Sequence, residues 1–236
     1  IILAVILMGY YIFGSSVNMT GNSIAVKSNP QKNLQIKGSD TLLQVVSSLS
    51  EIYSKENKEV KISVTGGGSG TGIASLINKE IDIADASREI KEKEISQAKE
   101  NGLNPVEIRI GRDMLSVIIN SDNGIDKLTI EEIGKIYKGE ITNWKEVGGK
   151  DLEITLYGRQ STSGTYTFFM EHVLNGDYSA KMRNLEGNQA ILEAVKQDKS
   201  GIGYVGLGYL KDERGNLVSG INVIKVANSK NEEYLS

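Results

Sequence analysis

The sequence predicts an α/β protein built on mostly parallel sheets with helices on both faces. Three observations carry that reading. Short alternating apolar runs are each followed by a small polar turn and then by apolar residues at helical spacing, and this unit recurs along the chain. The glycines, 26 against two prolines, fall in clusters. The length, 236 residues with 39% hydrophobic and 24% charged, suffices for one large or two modest domains with real cores.

The chain opens on IILAVILMGYYIF, residues 1–13, and the first charge is Lys27. As a helix this run reaches only about 20 Å, short of roughly 30 Å of hydrocarbon, which suits a signal-peptide core or part of a membrane anchor. A buried N-terminal helix is the other reading. With no cysteine in the chain there is no residue for an N-terminal lipid, so any tether to a membrane uses this segment. Residues 14–32 read as a flexible polar linker, and the folded part is expected to begin near Asn33.

Leu34 and Ile36 alternate with polar neighbours as a short strand that ends at Gly38. Ser39, Asp40 and Thr41 follow as N-cap candidates for a helix carrying Leu42, Val45, Val46, Leu49, Ile52 and Tyr53. Val60, Ile62 and Val64 make a second strand, which runs into TGGGSGTG (residues 65–72) and a helix from Ile73. Residues 81–86 form a third strand, ending at Ser87 and Arg88 before the charged helical stretch EIKEKEISQAKE. Residues 114–120 are another apolar strand. Thr129 and Glu132 form a capping box for a helix through Tyr137. Ile154, Leu156 and Tyr157 lead into GRQSTSGT (residues 158–165) and the apolar helix YTFFMEHVL. Asn188 can cap AILEAVKQ, and GIGYVGLGYL (residues 201–210) is the last clear strand.

Four of these strand-to-helix turns carry hydroxyls or glycines where a helix presents unpaired N–H groups: Ser39 to Thr41, Gly66 to Thr71, Ser87 with Arg88, and Ser161 to Thr165. Helix starts favour anions because the first N–H groups have no partner within the helix and the dipole is positive there. Two of the four turns have an arginine beside them, Arg88 and Arg159.

Other chemistries are disfavoured. Lys and Arg total 27 against 30 Asp and Glu, a net charge of -3 that gives no field to draw in nucleic acid. A P-loop needs a lysine after its second spaced glycine, where Gly72 is followed by Ile73, and no dinucleotide frame closes because Thr71 or Ile73 stands at its third glycine. With one histidine, no cysteine and no calcium loop, no metal or cofactor site is visible. A serine hydrolase would have to use His172 as its base beside Ser69 or Ser163. His172 lies in an apolar helix and reads as a structural or surface residue.

The strings GSDTL, TGGGSGTG, DASR, NWKEVGG, GRQSTSGT and GIGYVGLGYL, in this order and spacing, resemble the PstS-type phosphate-binding proteins of ABC phosphate importers, from about Asn33 to Tyr209. The resemblance implies a two-lobed protein of the periplasmic-binding-protein type II fold. It implies an extracytoplasmic protein that closes on one inorganic phosphate and delivers it to a membrane permease, without catalysis or cofactor. It places the ligand on Asp40 and Thr41, Ser69, Ser87, and Arg159 with Ser163, Gly164 and Thr165. The turn reading adds Ser39 and Arg88. Many members carry an aspartate where Ser87 stands, to accept the proton of bound phosphate. Here that carboxylate could be Asp40 or Asp85, and Asp40 reads equally well as a plain helix cap. Members usually continue beyond the equivalent of EEYLS through a second crossover, so residues 33–112 are expected to form an incomplete first lobe and residues 113–236 the second. The competing functions are binding of sulfate, molybdate or tungstate, the serine hydrolase above, and a surface phosphate sensor or adhesion protein with no permease partner.

Overall fold

The computed structural model describes residues 2–7, 32–212, 214–229 and 232–235, with residues 2–7 described by their backbone alone. The first sheet contains β1 (Ile2–Leu7), β2 (Lys32–Gly38), β3 (Val60–Thr65), β4 (Ile83–Ala86) and β5 (Val106–Arg112), in the order β3-β2-β4-β1-β5. Strand β2 runs parallel to β3 and β4, as strand-helix-strand crossovers require, while β1 lies antiparallel between β4 and β5. Residues 2–7 of the N-terminal apolar run are therefore a strand. Their β-branched and aliphatic composition suits a sheet interior. The remainder of that run and nearly all of the linker, residues 8–31, lie outside the described residues. Among the described residues no helix is long and apolar enough to cross a membrane.

Helix α1 (Leu43–Glu56) covers one face of this sheet, where Leu42 and Val46 pack with Ile36, Ile62, Val64 and Ile83. Helices α2 (Ser69–Ile77) and α3 (Glu92–Glu100) form a second core, in which Ile73, Leu76, Ile77 and Ala98 meet Ala84 and Ala86. Alternation along β4 assigns Ala84 and Ala86 to that core and leaves Asp85 to the other side. Three expectations change. Helix α1 buries only part of its apolar stripe, since Val45, Leu49, Ile52 and Tyr53 stand about half exposed. Its first turn has Leu42 at the N-cap with no side-chain bond, so neither Ser39, Asp40 nor Thr41 caps it. Helix α2 begins at Ser69, which turns the end of the glycine-rich string into the helix's first turn.

The second sheet contains β6 (Leu115–Asn120), β8 (Thr155–Arg159), β9 (Arg183–Leu185), β10 (Gly201–Gly206) and β11 (Ile221–Val223), in the order β11-β6-β10-β8-β9. Strand β8 is parallel to β9 and β10, and β6 is antiparallel to β10 and β11. A small parallel pair, β7 (Lys127–Thr129) with β12 (Lys225–Ala227), stands apart. The capping box at Thr129 starts α4 (Ile130–Lys138), as the sequence predicts. Helix α5 (Gly164–Phe169) is capped by the Ser163 hydroxyl and passes into a π-helical turn, Met170–Leu174. Strand β10 stops at Gly206, and residues 207–210 are a 3-10 turn. Asn188 is not a cap. It lies inside α6 (Gly187–Gln197), and its side-chain oxygen accepts from the Gly206 N–H at 3.2 Å.

Candidate anion-binding site

The ends of β2, β3, β4 and β8 bring the four polar turns together where the two sheets' units meet. From the first unit come Ser39, Asp40, Thr41, Ser69 and Ser87, and from the second Arg159, Ser163, Gly164 and Thr165. Apart from Thr41, which is half-buried, all of these are buried.

Contacts across the units are specific. The Thr41 and Thr165 hydroxyls lie 3.0 Å apart, and Gly70 N–H donates to the Thr162 carbonyl at 2.9 Å. The Ser69 and Ser87 hydroxyls pair at 3.2 Å, and Ser87 N–H donates to Ser69 Oγ at 3.0 Å. Gly164 packs directly on these two serines. A Cβ there would stand 2.5 Å from Ser69 Oγ and 2.6 Å from Ser87 Oγ, so only glycine lets the first turn of α5 come this close.

Asp40 and Arg159 form the charged centre. Arg159 Nη2 donates to Asp40 Oδ2, while Gly67 N–H donates to Asp40 Oδ1 at 2.9 Å. The carboxylate thus ties the first turn both to the glycine-rich turn and to the other unit. Arg159 is 1% exposed, and its Nε and Nη1 have no hydrogen-bond partner among the described residues. Burial pulls its pKa below the ordinary arginine value and the Asp40 charge opposes the shift. A buried guanidinium with unspent N–H groups is unfavourable unless an acceptor reaches them.

Asp85 sits one layer behind. Ser39 N–H donates to Asp85 Oδ1 at 2.9 Å, and Asp85 Oδ2 is buried without a partner. Burial raises its pKa to about 7, against the lowering effect of the Ser39 bond and with a further rise from the Asp40 charge. Arg88 points elsewhere. Its Nη2 donates to Glu94 Oε1 at 2.6 Å and its Nη1 to Glu94 Oε2 at 2.8 Å and to the Glu89 carbonyl at 2.9 Å. Burial alone would raise the Glu94 pKa, yet the bonds and charge of Arg88 hold it below the usual value. Arg88 therefore serves the start of α3 within its own unit.

His172 is exposed, stacks on Phe168 with ring centroids 4.2 Å apart, and bonds the Phe168 carbonyl through Nδ1 at 2.9 Å. No hydrogen bond joins it to Ser69 or Ser163. Among the described residues no group of three His, Asp or Glu is placed to hold a metal. Two tyrosines that sequence reasoning passed over also reach the site. Arg159 N–H donates to the Tyr204 hydroxyl at 3.2 Å, and the Tyr209 hydroxyl donates to the Asp40 carbonyl at 2.6 Å. Their one signal in the sequence is the string GIGYVGLGYL, which contributes a strand and the family resemblance but assigns neither tyrosine to the site.

Residues 25–235 match the PBP superfamily domain. The chain belongs to the PBP superfamily. Within that superfamily it is 34% identical over 184 residues to the phosphate-binding protein PstS of Staphylococcus saprophyticus, covering 76% of this chain and 57% of that protein. It is 32% identical over 191 residues to protein SphX of Synechococcus elongatus, covering 76% and 56%. The chain thus spans little more than half the length of these two relatives. A crystal structure from Clostridium perfringens, described as a phosphate ABC transporter substrate-binding protein with bound phosphate, superposes with a TM-score of 0.73 at 28% identity, covering 84% of this chain and 77% of that one. The two-lobed α/β architecture expected from the sequence is thus the architecture of this PBP-superfamily chain.

Proposed function

We propose that this protein captures inorganic phosphate between its two lobes outside the cytoplasm and passes it unchanged to the permease of an ABC importer. The observation that carries this reading is Arg159, buried and paired across the lobes to Asp40, with two donor nitrogens, Nε and Nη1, unpartnered among the described residues, in a site that also holds the hydroxyls of Ser39, Thr41, Ser69, Ser87, Ser163 and Thr165. Such a cradle replaces the hydration of a small anion with fixed donors, and the charge-assisted bonds among them are the strong ones. The similarity to PstS and to a structure described as holding phosphate supports phosphate over other tetrahedral anions. Asp40 supports it too, since hydrogen phosphate has a proton to donate to a carboxylate and sulfate at neutral pH has none.

Nothing in this reading requires bond breaking, and the geometry of His172 gives no serine a base. In this proposal the lobes divide near Asp113, and the secretion or anchoring role expected of residues 1–13 is dropped, because residues 2–7 pair as a strand between β4 and β5. Titration calorimetry of the chain with phosphate, sulfate and arsenate tests the function. One saturable site for phosphate, with sulfate at least about tenfold weaker, is the expected result; no saturable phosphate heat overturns the proposal.

A further inference from the structure

We infer that Tyr209 is a positioning residue of this site, a latch from the second lobe that fixes the peptide between Asp40 and Thr41 and thereby sets how slowly the ligand leaves. This rests on the phosphate-capture reading above. The Tyr209 hydroxyl donates to the Asp40 carbonyl at 2.6 Å, a bond between lobes and among the shortest that join them. A trans peptide is planar, with its C=O and the next N–H pointing in opposite directions. Holding the Asp40 carbonyl toward Tyr209 therefore fixes the direction of the Thr41 N–H, a donor in the first of the four anion-competent turns.

The surroundings give the latch a rigid base. Tyr209 follows β10 by three residues, in the 3-10 turn at residues 207–210, and is half-buried against the core of Ile118, Tyr157, Ile191 and Val205. The end of β10 also lies beside the same turn of the first lobe, since a Cβ placed on Gly206 would come into van der Waals contact with Thr41 Cγ2, at 3.4 Å. Asp40 and Thr41 are thus held from the second lobe by Arg159, by Thr165 and by Tyr209. The first two lie in the β8 to α5 segment that carries the cradle. Tyr209 comes from a separate element, and its hydroxyl proton is spent on the Asp40 carbonyl, which makes it a support.

A bond that exists only when the lobes are together acts on release and leaves capture by the open form untouched. Tyr209→Phe keeps the ring and removes the donor, so stopped-flow kinetics should show phosphate leaving about three- to tenfold faster with an unchanged association rate. Tyr137→Phe is the control, because the Tyr137 hydroxyl donates to the Tyr157 carbonyl at 3.1 Å wholly inside the second lobe. It should lower the melting temperature without separating the two rates. Tyr209→Met serves as a second variant and is read in the same way, each variant being used once its unfolding is cooperative. Faster release in either supports the latch. An unchanged release rate in the folded variants, or a loss confined to association, overturns it. If the parent chain itself shows no phosphate binding, it is the functional reading that fails.

Discussion

Arg88 and Arg159 begin from the same sequence context, an arginine beside a small polar turn that leads from a strand into a helix, and the fold gives them opposite fates. Arg88 meets an acid of its own lobe, Glu94 in the first turn of α3, and both of its terminal nitrogens are engaged there. Arg159 meets no acid in its own lobe and takes Asp40 from the other one, with Nε and Nη1 left over. The Arg88 side chain is 12% exposed and that of Arg159 is 1%. An arginine keeps donors for a ligand when its counter-charge does not fill its fork, and the proposed role of Arg159 rests on that difference. An arginine whose fork is filled is a structural clamp.

The comparison is most exposed to Arg159→Ala. Phosphate affinity should fall at least about tenfold, the equivalent of one charge-assisted bond. Stability should drop by about 3 to 5 kcal/mol, because Asp40 is left buried and unpaired. Calorimetry and denaturant unfolding read the two effects separately, and adding Asp40→Asn should restore part of the stability but none of the affinity. An unaltered affinity in the folded variant would remove Arg159 from the site.

Asp85 sharpens the contrast from the Arg88 side, since it lies on β4 three residues before that arginine, whose ion pair goes to Glu94 instead. Its pKa is raised from 3.8 to about 7 by burial. The folded chain therefore holds this proton more tightly than the unfolded one. The resulting stability is fully present below about pH 4 and is lost as pH rises through about 7, at most roughly 4 kcal/mol over that window. Asp85→Asn should be relatively more stable than the parent at pH 8 than at pH 4. If the difference in unfolding free energy between them is the same at both pH values, Asp85 is ionised throughout.

Asp40→Asn tests whether the acid that pairs with Arg159 also discriminates among ligands. Phosphate should weaken and the rejection of sulfate should relax, changing their ratio by about tenfold, because an ionised carboxylate accepts from one and repels the other. A preserved ratio in the folded variant would reduce Asp40 to a tether between turns. The smallest effect belongs to Arg88→Ala, where phosphate affinity should stay within about threefold and stability should fall by roughly 1 kcal/mol as the start of α3 loosens. A tenfold loss of affinity there would erase the distinction between the two arginines.

The α/β alternation, the four polar turns and the residues in them are legible in the sequence alone, because periodicity and helix-start chemistry are local properties that a short window contains. Thr129 is legible as a cap for the same reason, since it reaches only its own helix. The window fails where a partner lies far along the chain. Asn188 and Asp40 both have the composition of caps, yet one bonds Gly206 and the other Arg159, partners 18 and 119 residues away. Val45, Leu49, Ile52 and Tyr53 form a regular apolar stripe, but what covers a stripe is a property of the neighbouring layer, and here they stand half exposed. Strand β1 and the Tyr209 bond were invisible for the same reason. Which arginine keeps free donors was likewise decided only by tertiary structure, because it depends on the distance between two lobes that the chain visits in turn.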